Sequence, residues 1–230
     1  MKRQNTPPDK LDNVLRRIAD SASQSGRQPG DITLIAVAKG QSAAAMRALV
    51  EAGQCHFGEN YLQEALAHQR ALADRSLCWH FIGPLQSNKT RDVAACFDWV
   101  HSVDRLRIAR RLDSQRPQTL PPLNVCLQVN ISGEASKSGV SPEALPALAA
   151  AVARLPQLRL RGLMAIPAPA DNEAGRRQPC RQLREALEAL NSEGYTLDVL
   201  SMGMSADLEV AIAEGATHVR VGTDLFGPRQ

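Results

Sequence analysis

The sequence is poor in aromatic residues and in paired cysteines, and both shortages restrict what the chain can be. Only 3% of its 230 residues are aromatic, so we expect a core built mainly from aliphatic side chains. The cysteines are odd in number, scattered, and include no C-x-x-C pair. This pattern argues against a disulfide framework and against a zinc site, and it is typical of a protein of the reducing cytoplasm. The cysteines are Cys55, Cys78, Cys96, Cys126 and Cys180.

Long apolar runs and a strong net charge are also absent. No apolar run approaches the length of a membrane span, and none follows Lys2 and Arg3. We therefore expect no membrane segment and no secretory signal. The net charge of +3 is too small to indicate nucleic acid. We expect two groups of arginines to lie on solvated helix faces, with an RNA- or protein-binding scaffold as the weaker alternative. They are Arg105, Arg107, Arg110 and Arg111, and Arg176, Arg177, Arg181 and Arg184.

Short apolar runs alternate with segments of helical period along the whole chain. The units are roughly 25–30 residues long, which predicts a (β/α)₈ TIM barrel. A doubly wound open sheet fits the alternation as well, but no G-x-G-x-x-G follows the first strand and no P-loop is present. We predict one domain over residues 1–230, with a helix and linker in 1–30 and the barrel in 31–230. The predicted strands are Thr33–Ala38, His56–Gly58, Leu77–Ile82, Trp99–Val103, Asn124–Asn130, Leu158–Ile166, Leu197–Ser201 and His218–Val221.

Lysine is scarce, with five lysines against 22 arginines, and only Lys39 ends an apolar run that is typical of a strand. A lysine amine in its neutral form condenses with aldehydes to give a Schiff base. The alternative is a strand-end lysine that extends its amine to water. The segment Thr33–Gly40 alone favours the alternative.

In a barrel of this kind the active face lies at the carboxyl ends of the strands, and phosphate sites are often built from the loops after strands 7 and 8. We predict that Ser205 opens a helix, where its hydroxyl and the N–H groups that follow would face an anion. A plain helix N-cap explains Ser205 equally well. Gly222 allows a close approach of the backbone, and Thr223 adds a hydroxyl and an N–H.

Other strand-end residues have two interpretations each. Arg220 lies on the same side of its strand as Gly222, and its guanidinium can only donate hydrogen bonds. Facing a pyridine nitrogen, it would leave that nitrogen unprotonated, whereas the alternative is a salt bridge at the barrel end. Asn60 contacts a ligand or caps a helix. His80 lies between Trp79 and Phe81 and is interpreted as a packed, hydrogen-bonded histidine.

Several long motifs in the same regions resemble the pyridoxal phosphate homeostasis protein family, whose members are related to the barrel domain of alanine racemase. The resemblance extends from about Asp31 to the end of the chain. The motifs are His56-Phe57-Gly58-Glu59-Asn60-Tyr61, Trp79-His80-Phe81-Ile82-Gly83-Pro84-Leu85-Gln86, Ser136-Lys137-Ser138-Gly139, Arg161-Gly162-Leu163-Met164-Ala165-Ile166, Ser201-Met202-Gly203-Met204-Ser205, and Arg220-Val221-Gly222-Thr223 with Phe226-Gly227.

The resemblance implies a fold type III barrel that binds pyridoxal 5′-phosphate (PLP) as a covalent aldimine to Lys39. It also implies a loop lysine, Lys137, that takes part in cofactor traffic. The other implied cofactor contacts are Ser205, Gly222 and Thr223 to the phosphate, Arg220 to the pyridine nitrogen, and Asn60, Met164 and Ser201 along the cofactor. One stretch departs from the family pattern, because Ala38 stands where Ser or Thr is usual and Gly40-Gln41 replace a Thr-then-Pro segment.

The function that the resemblance implies is intracellular PLP homeostasis. The protein would carry or buffer the cofactor and so affect amino-acid balance, without robust catalysis of its own. Apo PLP-dependent enzymes would be its acceptors, and we expect a monomer. The alternative is an amino-acid racemase, which needs acid/base groups on both faces of the substrate. We expect neither Tyr61, in a predicted helix, nor Tyr195, before strand 7, to supply the second group, and we expect no second domain after Gln230.

Overall fold

The computed structural model describes residues 6–134 and 138–227, and within them the chain forms a closed barrel of eight parallel strands in sequential order. The predicted (β/α)₈ barrel is therefore confirmed. Each predicted strand is present, with ends within two residues of the prediction. The strands are β1 (Thr33–Val37), β2 (His56–Glu59), β3 (Cys78–Phe81), β4 (Trp99–Val103), β5 (Leu123–Gln128), β6 (Leu158–Met164), β7 (Val199–Ser201) and β8 (His218–Val221).

Nine α-helices accompany the strands in the described ranges. The helices are α1 (Pro7–Gln24), α2 (Ala43–Glu51), α3 (Leu62–Ala71), α4 (Thr90–Cys96), α5 (Leu106–Gln115), α6 (Leu145–Val152), α7 (Glu173–Ser192), α8 (Leu208–Ala213) and α9 (Thr223–Phe226). Short 3₁₀ turns at Pro29–Asp31, Ser87–Lys89 and Pro142–Ala144 precede β1, α4 and α6. None of the described helices is long and apolar enough to cross a membrane.

Local sequence signals place several of these elements. Ser42 accepts a hydrogen bond from the N–H of Ala45 and begins α2 as predicted. Gly53, with a φ of +99°, ends the same unit in the left-handed region that favours glycine. Between strands and helices the buried layer is aliphatic, as the shortage of aromatic residues predicted, with Ala36, Leu49 and Ile108 fully buried. Burial of each large side chain of this layer contributes about 1.5–3 kcal/mol.

The inside of the barrel is different, because histidines fill it. His80 on β3 lies 5.1 Å between ring centroids from His101 on β4 and 6.2 Å from His218 on β8. Trp99 on β4 lies 5.2 Å from the same His218. Strands β4 and β8 are not neighbours in the barrel, so these rings meet across its interior. His80 is confirmed as a packed, hydrogen-bonded histidine, as its flanking residues indicated.

Two local interpretations need correction. Asn60 does not cap α3, since the helix begins at Leu62 after an extended Tyr61. Helix α8 begins at Leu208 rather than beside Ser205. The four-residue helix α9 was not predicted, because a single turn is too short to show a helical period.

The leading helix α1 is capped by Thr6, whose hydroxyl accepts from the N–H of Asp9. Its apolar stripe of Leu11, Val14 and Ile18 is buried, and the helix packs against α8 and α9. Those two helices follow β7 and β8. Helix α1 therefore supports the part of the barrel where the sequence predicts a phosphate site.

Candidate functional site

A cavity of about 300 Å³ opens at the carboxyl ends of the strands and brings together six of the eight predicted cofactor residues. They come from units 1, 2, 7 and 8 of the barrel, which the closed sheet places around one mouth. The six are Lys39, Asn60, Ser205, Arg220, Gly222 and Thr223. The predicted loop lysine, Lys137, lies outside the described residues.

Lys39 follows β1 and is half-buried at the cavity wall. Its Nζ lies 5.8 Å from the centroid of the Tyr61 ring. Tyr61 is extended and 54% exposed, so the expectation that it belongs to a helix is wrong. Gly40, the residue that departs from the family pattern, has a φ of +71°. Its N–H donates to Glu64 Oε2 at 2.9 Å, so the turn after Lys39 is anchored to α3.

A buried acid–histidine pair holds the same turn. His68 on α3 lies with Nδ1 2.7 Å from Glu59 Oε1 and Nε2 3.0 Å from the carbonyl of Gln41. Both ring nitrogens face acceptors, and the hydrogen bond to Glu59 raises the pKa of His68. Sequence reasoning missed His68, which stands on an ordinary helical stretch. Only the strand-end position of Glu59 indicated polar chemistry here.

Asn60 is positioned by a glycine on the next strand unit. A Cβ placed on Gly83 would lie 2.2 Å from the Asn60 carbonyl oxygen, so only glycine allows the chain after β3 to pass this close. The contact fixes the backbone of Asn60 beside the cavity, where its side chain is half-buried.

The opposite side of the cavity is formed by the loops after β7 and β8. Ser205 and Thr223 present hydroxyls, and Gly222 lies beside Val37. The N–H of Thr223 belongs to the first turn of α9, where N–H groups have no acceptor within the helix. Ser205 does not open α8: it lies in a turn, in which the N–H of Met204 donates to Asp207 Oδ1 at 2.7 Å.

Two arginines hold the loop after β7 from outside the cavity. Arg17 on α1 donates to the carbonyl of Ser205 at 3.0 Å, and Arg176 on α7 donates to the carbonyl of Ala206 at 3.0 Å. Arg17 also pairs with Glu209 and Asp224. No sequence pattern indicated that α1 reaches this loop, because the contact joins residues 188 positions apart.

Arg220 forms the floor of the cavity and is 4% exposed. Its Nη1 donates to Ser201 Oγ at 2.7 Å and its Nη2 to the carbonyl of Ala165 at 2.8 Å. Both partners are neutral, so the predicted alternative of a salt bridge does not describe these contacts. Burial lowers the pKa of Arg220 to about 10. A buried cation with neutral partners is costly, which favours a role toward a ligand.

Ser201 and Met164 do not line the cavity. Ser201 is fully buried and bridges Arg220 to His101, whose Nδ1 lies 2.8 Å from Ser201 Oγ. Met164 is fully buried among Trp99, Cys126 and Val199 inside the barrel. Seven residues that the site prediction did not include complete the cavity wall. Two of them, Ile82 and Ile166, follow β3 and β6 closely, so their position at the strand ends could have predicted them as lining residues. The additional lining residues are Val37, Gln41, Ile82, Ile166, Met204, Ala206 and Gly227.

Three of the four arginines in the second group form ion pairs with one buried carboxylate. Arg177, Arg181 and Arg184 on α7 all lie within 3.5 Å of the Glu214 carboxylate, at 2.9, 3.3 and 3.5 Å. Glu214 itself is buried. These three arginines therefore belong to a structural ion-pair network, which disfavours α7 as a nucleic-acid surface.

Comparison with known proteins shows the family to which the chain is related. Residues 10–230 match the family model described as alanine racemase, N-terminal domain. The pyridoxal phosphate homeostasis protein of Pseudomonas aeruginosa is 60% identical over 224 residues, which cover 97% of this chain and 96% of the relative. That of Escherichia coli strain K12 is 53% identical over 222 residues, with 95% of each chain covered.

A solved structure shares the fold of this chain. PipY of Synechococcus elongatus PCC7942, determined with PLP bound, is 41% identical and superposes with a TM-score of 0.80. The match covers 91% of this chain and 100% of PipY. From these similarities, the chain belongs to the pyridoxal phosphate homeostasis protein family, within the alanine racemase N-terminal domain family.

Proposed function

We propose that this protein binds PLP in the cavity, covalently through Lys39 Nζ, and acts as an intracellular carrier or buffer of the cofactor. One observation carries the proposal: Lys39, Arg220 and the loops after β7 and β8 line a single cavity of about 300 Å³. PLP supplies an aldehyde that condenses with an amine. The cavity provides the amine at one side, hydroxyl and N–H donors at the other, and a cation at its floor.

The individual residues fit the cofactor's functional groups. Ser205, Gly222 and Thr223 would hold the phosphate, with the loop braced by Arg17 and Arg176. Arg220, which can only donate, would keep the pyridine nitrogen unprotonated and so weaken the ring as an electron sink. A weak electron sink is suited to storage of the cofactor rather than to catalysis on it.

Partners and compartment follow from the same proposal. A carrier delivers its cofactor to apo PLP-dependent enzymes, so these are the acceptors that we propose. All five cysteines are free, which fits the cytoplasm. We propose that the protein acts as a monomer.

A second candidate function is slow amino-acid racemisation. The position of Tyr61 favours it, because the centroid of its ring lies 5.8 Å from Lys39 Nζ. Two acid/base groups are required for this chemistry, and Tyr61 is the tyrosine placed to supply one. Tyr195, by contrast, packs against the core before β7. The carrier is preferred because relatives that are 60% and 53% identical to this chain are named pyridoxal phosphate homeostasis proteins.

Borohydride reduction tests the attachment. After incubation with PLP, reduction should fix one pyridoxyl group per chain on Lys39, identified by peptide mass spectrometry. Lys39→Ala should lose the visible absorbance of the bound cofactor, whereas Lys10→Ala should keep it. Labelling chiefly on Lys89 or Lys137 would overturn the assignment.

The choice between carrier and racemase needs two further assays. Transfer of PLP to an apo PLP-dependent enzyme should proceed from the loaded wild-type protein faster than from free PLP at equal concentration. Stereoinversion of alanine and other amino acids should not exceed the rate with free PLP. Turnover well above that rate, abolished by Tyr61→Phe, would establish the racemase instead.

A further inference from the structure

Three metal-ligating side chains meet at the end of the barrel opposite the cofactor cavity. His56 is the first residue of β2, Cys78 is the first residue of β3, and His80 lies two residues farther along β3. In the sheet His56 is paired with Cys78. One nitrogen of each histidine and the sulfur of Cys78 all lie within 4.8 Å of one another. We propose that these three side chains bind a zinc-type cation at the amino-terminal end of the barrel.

Two side-chain atoms lie close to His80 Nε2 at the same time, and a single hydrogen bond explains only one of these contacts. His80 Nε2 lies 3.0 Å from His56 Nδ1 and 3.4 Å from Cys78 Sγ. A ring nitrogen has either one hydrogen or one lone pair. It therefore completes a hydrogen bond with one of these neighbours at a time. A cation accepts a lone pair from all three.

Two of the three separations between ligand atoms, and the ligand types, match zinc. With Zn–N distances of about 2.0–2.1 Å and Zn–S of about 2.3 Å in a tetrahedron, ligand atoms lie roughly 3.3–3.7 Å apart. The separations of 3.0 and 3.4 Å differ from this range by a few tenths of an ångström at most. Imidazole and thiolate are ligands that zinc prefers and that magnesium and calcium avoid.

The surroundings of the three side chains also suit a metal. His80 Nδ1 lies 2.9 Å from His101 Nε2, so the second nitrogen of a buried ligand has a partner that fixes its orientation. Asp98 Oδ2 accepts a hydrogen bond of 2.8 Å from the N–H of Trp79, which lies between the two ligands on β3, and so places a carboxylate near the site. His56 and Cys78 are partly exposed, which gives a cation access without opening the barrel.

The sequence predicted no zinc site, because it contains no C-x-x-C pair. The three ligands come from the starts of two neighbouring strands, 22 residues apart from His56 to Cys78 and two more to His80. The three side chains come together only when β2 and β3 pair, so no local sequence motif predicts the site. The site lies at the opposite end of the strands from Lys39 and does not depend on the proposed PLP function.

Zinc titration of the chelator-treated full chain, in competition with a chromophoric chelator, tests the proposal. We expect one zinc ion per chain, no competition by Mg²⁺, and a loss of zinc affinity of at least about tenfold in Cys78→Ser and in His56→Asn. Cys55→Ser is the matched control, since Cys55 is an exposed thiol that adjoins His56 in the chain, and it should bind zinc like the wild type.

Two results would overturn the site: unchanged zinc affinity in Cys78→Ser, or a loss of affinity in Cys55→Ser equal to that in Cys78→Ser. Anomalous diffraction from zinc-loaded wild-type crystals provides a measurement that needs no variant. It should place the ion on His56, Cys78 and His80. Zinc found elsewhere in the chain, with this position empty, would contradict the proposal.

Discussion

Arg220 donates a hydrogen bond of 2.7 Å to the hydroxyl of Ser201, and that hydroxyl lies 2.8 Å from Nδ1 of His101. Arg220 and Ser201 were predicted as separate contacts to the cofactor. Instead, Ser201 is fully buried and links the cation at the cavity floor to the histidines inside the barrel. The orientation of Arg220 toward a ligand therefore depends on a residue that the cavity does not expose.

Removal of the Ser201 hydroxyl should lower both the stability of the fold and the affinity for PLP. Ser201→Ala leaves a charged donor and a ring nitrogen without their shared partner, so we expect a loss of about 1–3 kcal/mol in the free energy of unfolding. Affinity for PLP should fall by about tenfold, measured by quenching of tryptophan fluorescence. The control is Ser102→Ala, because Ser102 Oγ is also buried but has no hydrogen-bond partner among the described residues. Equal losses in the two variants would contradict the link.

The brace between α1 and the loop after β7 gives a second prediction. Arg17→Leu removes the hydrogen bond to the Ser205 carbonyl together with two ion pairs. We expect PLP affinity to fall about three- to tenfold, because the loop that presents the Ser205 hydroxyl is no longer fixed. Arg16→Leu, at an exposed neighbour on the same helix, should leave PLP affinity unchanged. Equilibrium dialysis measures both constants, and unaltered binding by Arg17→Leu would show that the loop needs no brace.

The close approach of Gly83 to Asn60 gives a third prediction. Gly83→Ala would place a methyl group 2.2 Å from the Asn60 carbonyl oxygen, so one of the two backbone segments would have to shift. We expect a loss of more than about 2 kcal/mol in the free energy of unfolding, measured by urea denaturation. Gly30→Ala, which meets no atom within 4 Å, should change stability by less than about 1 kcal/mol. A similarly small loss of stability in Gly83→Ala would mean that the backbone at Asn60 shifts to accommodate the methyl group.

These contacts show where sequence reasoning succeeds and where it stops. The barrel was predictable because alternation of strands and helices is a local, repeated signal, and the position of Lys39 follows once β1 is placed. The start of α8 was not predictable, because Ser205 and Asp207 both belong to residue types that often cap helices and lie within three positions of each other. The contacts of Arg17, Ser201 and His68 join distant parts of the chain through side-chain geometry, and no local pattern of polar residues specifies such pairings.

Two histidines should affect the pH dependence of stability in opposite ways. The hydrogen bond to Glu59 raises the pKa of His68, whereas burial lowers the pKa of His218 to about 4. A group with a raised folded-state pKa stabilises the fold below its unfolded value, about 6.5 for histidine, and loses that contribution as the pH rises through the folded value. A histidine with a lowered pKa instead reduces stability as the pH falls below about 6.5.

For His68 we expect the change on the alkaline side. Replacement by Gln removes the positive charge between Glu59 and the Gln41 carbonyl. The wild-type free energy of unfolding should decline as the pH rises above about 6.5, and His68→Gln should flatten that decline. Urea denaturation at intervals of half a pH unit measures the slope. An identical slope in the two proteins would mean that His68 is neutral in the fold.

For His218 we expect the change on the acid side. Between pH 6.5 and 4 the unfolded chain takes up a proton at this position while the buried ring stays neutral, which costs the wild type on the order of 3 kcal/mol. His218→Leu should remove this cost and so recover part of the total loss of stability of the wild type at pH 4, while the slope above pH 6.5 stays as in the wild type. The recovery is partial because burial also lowers the pKa of His56, His80 and His101. Acid denaturation followed by circular dichroism measures it, and a midpoint that does not move to lower pH in His218→Leu would show that this ring is protonated in the folded barrel.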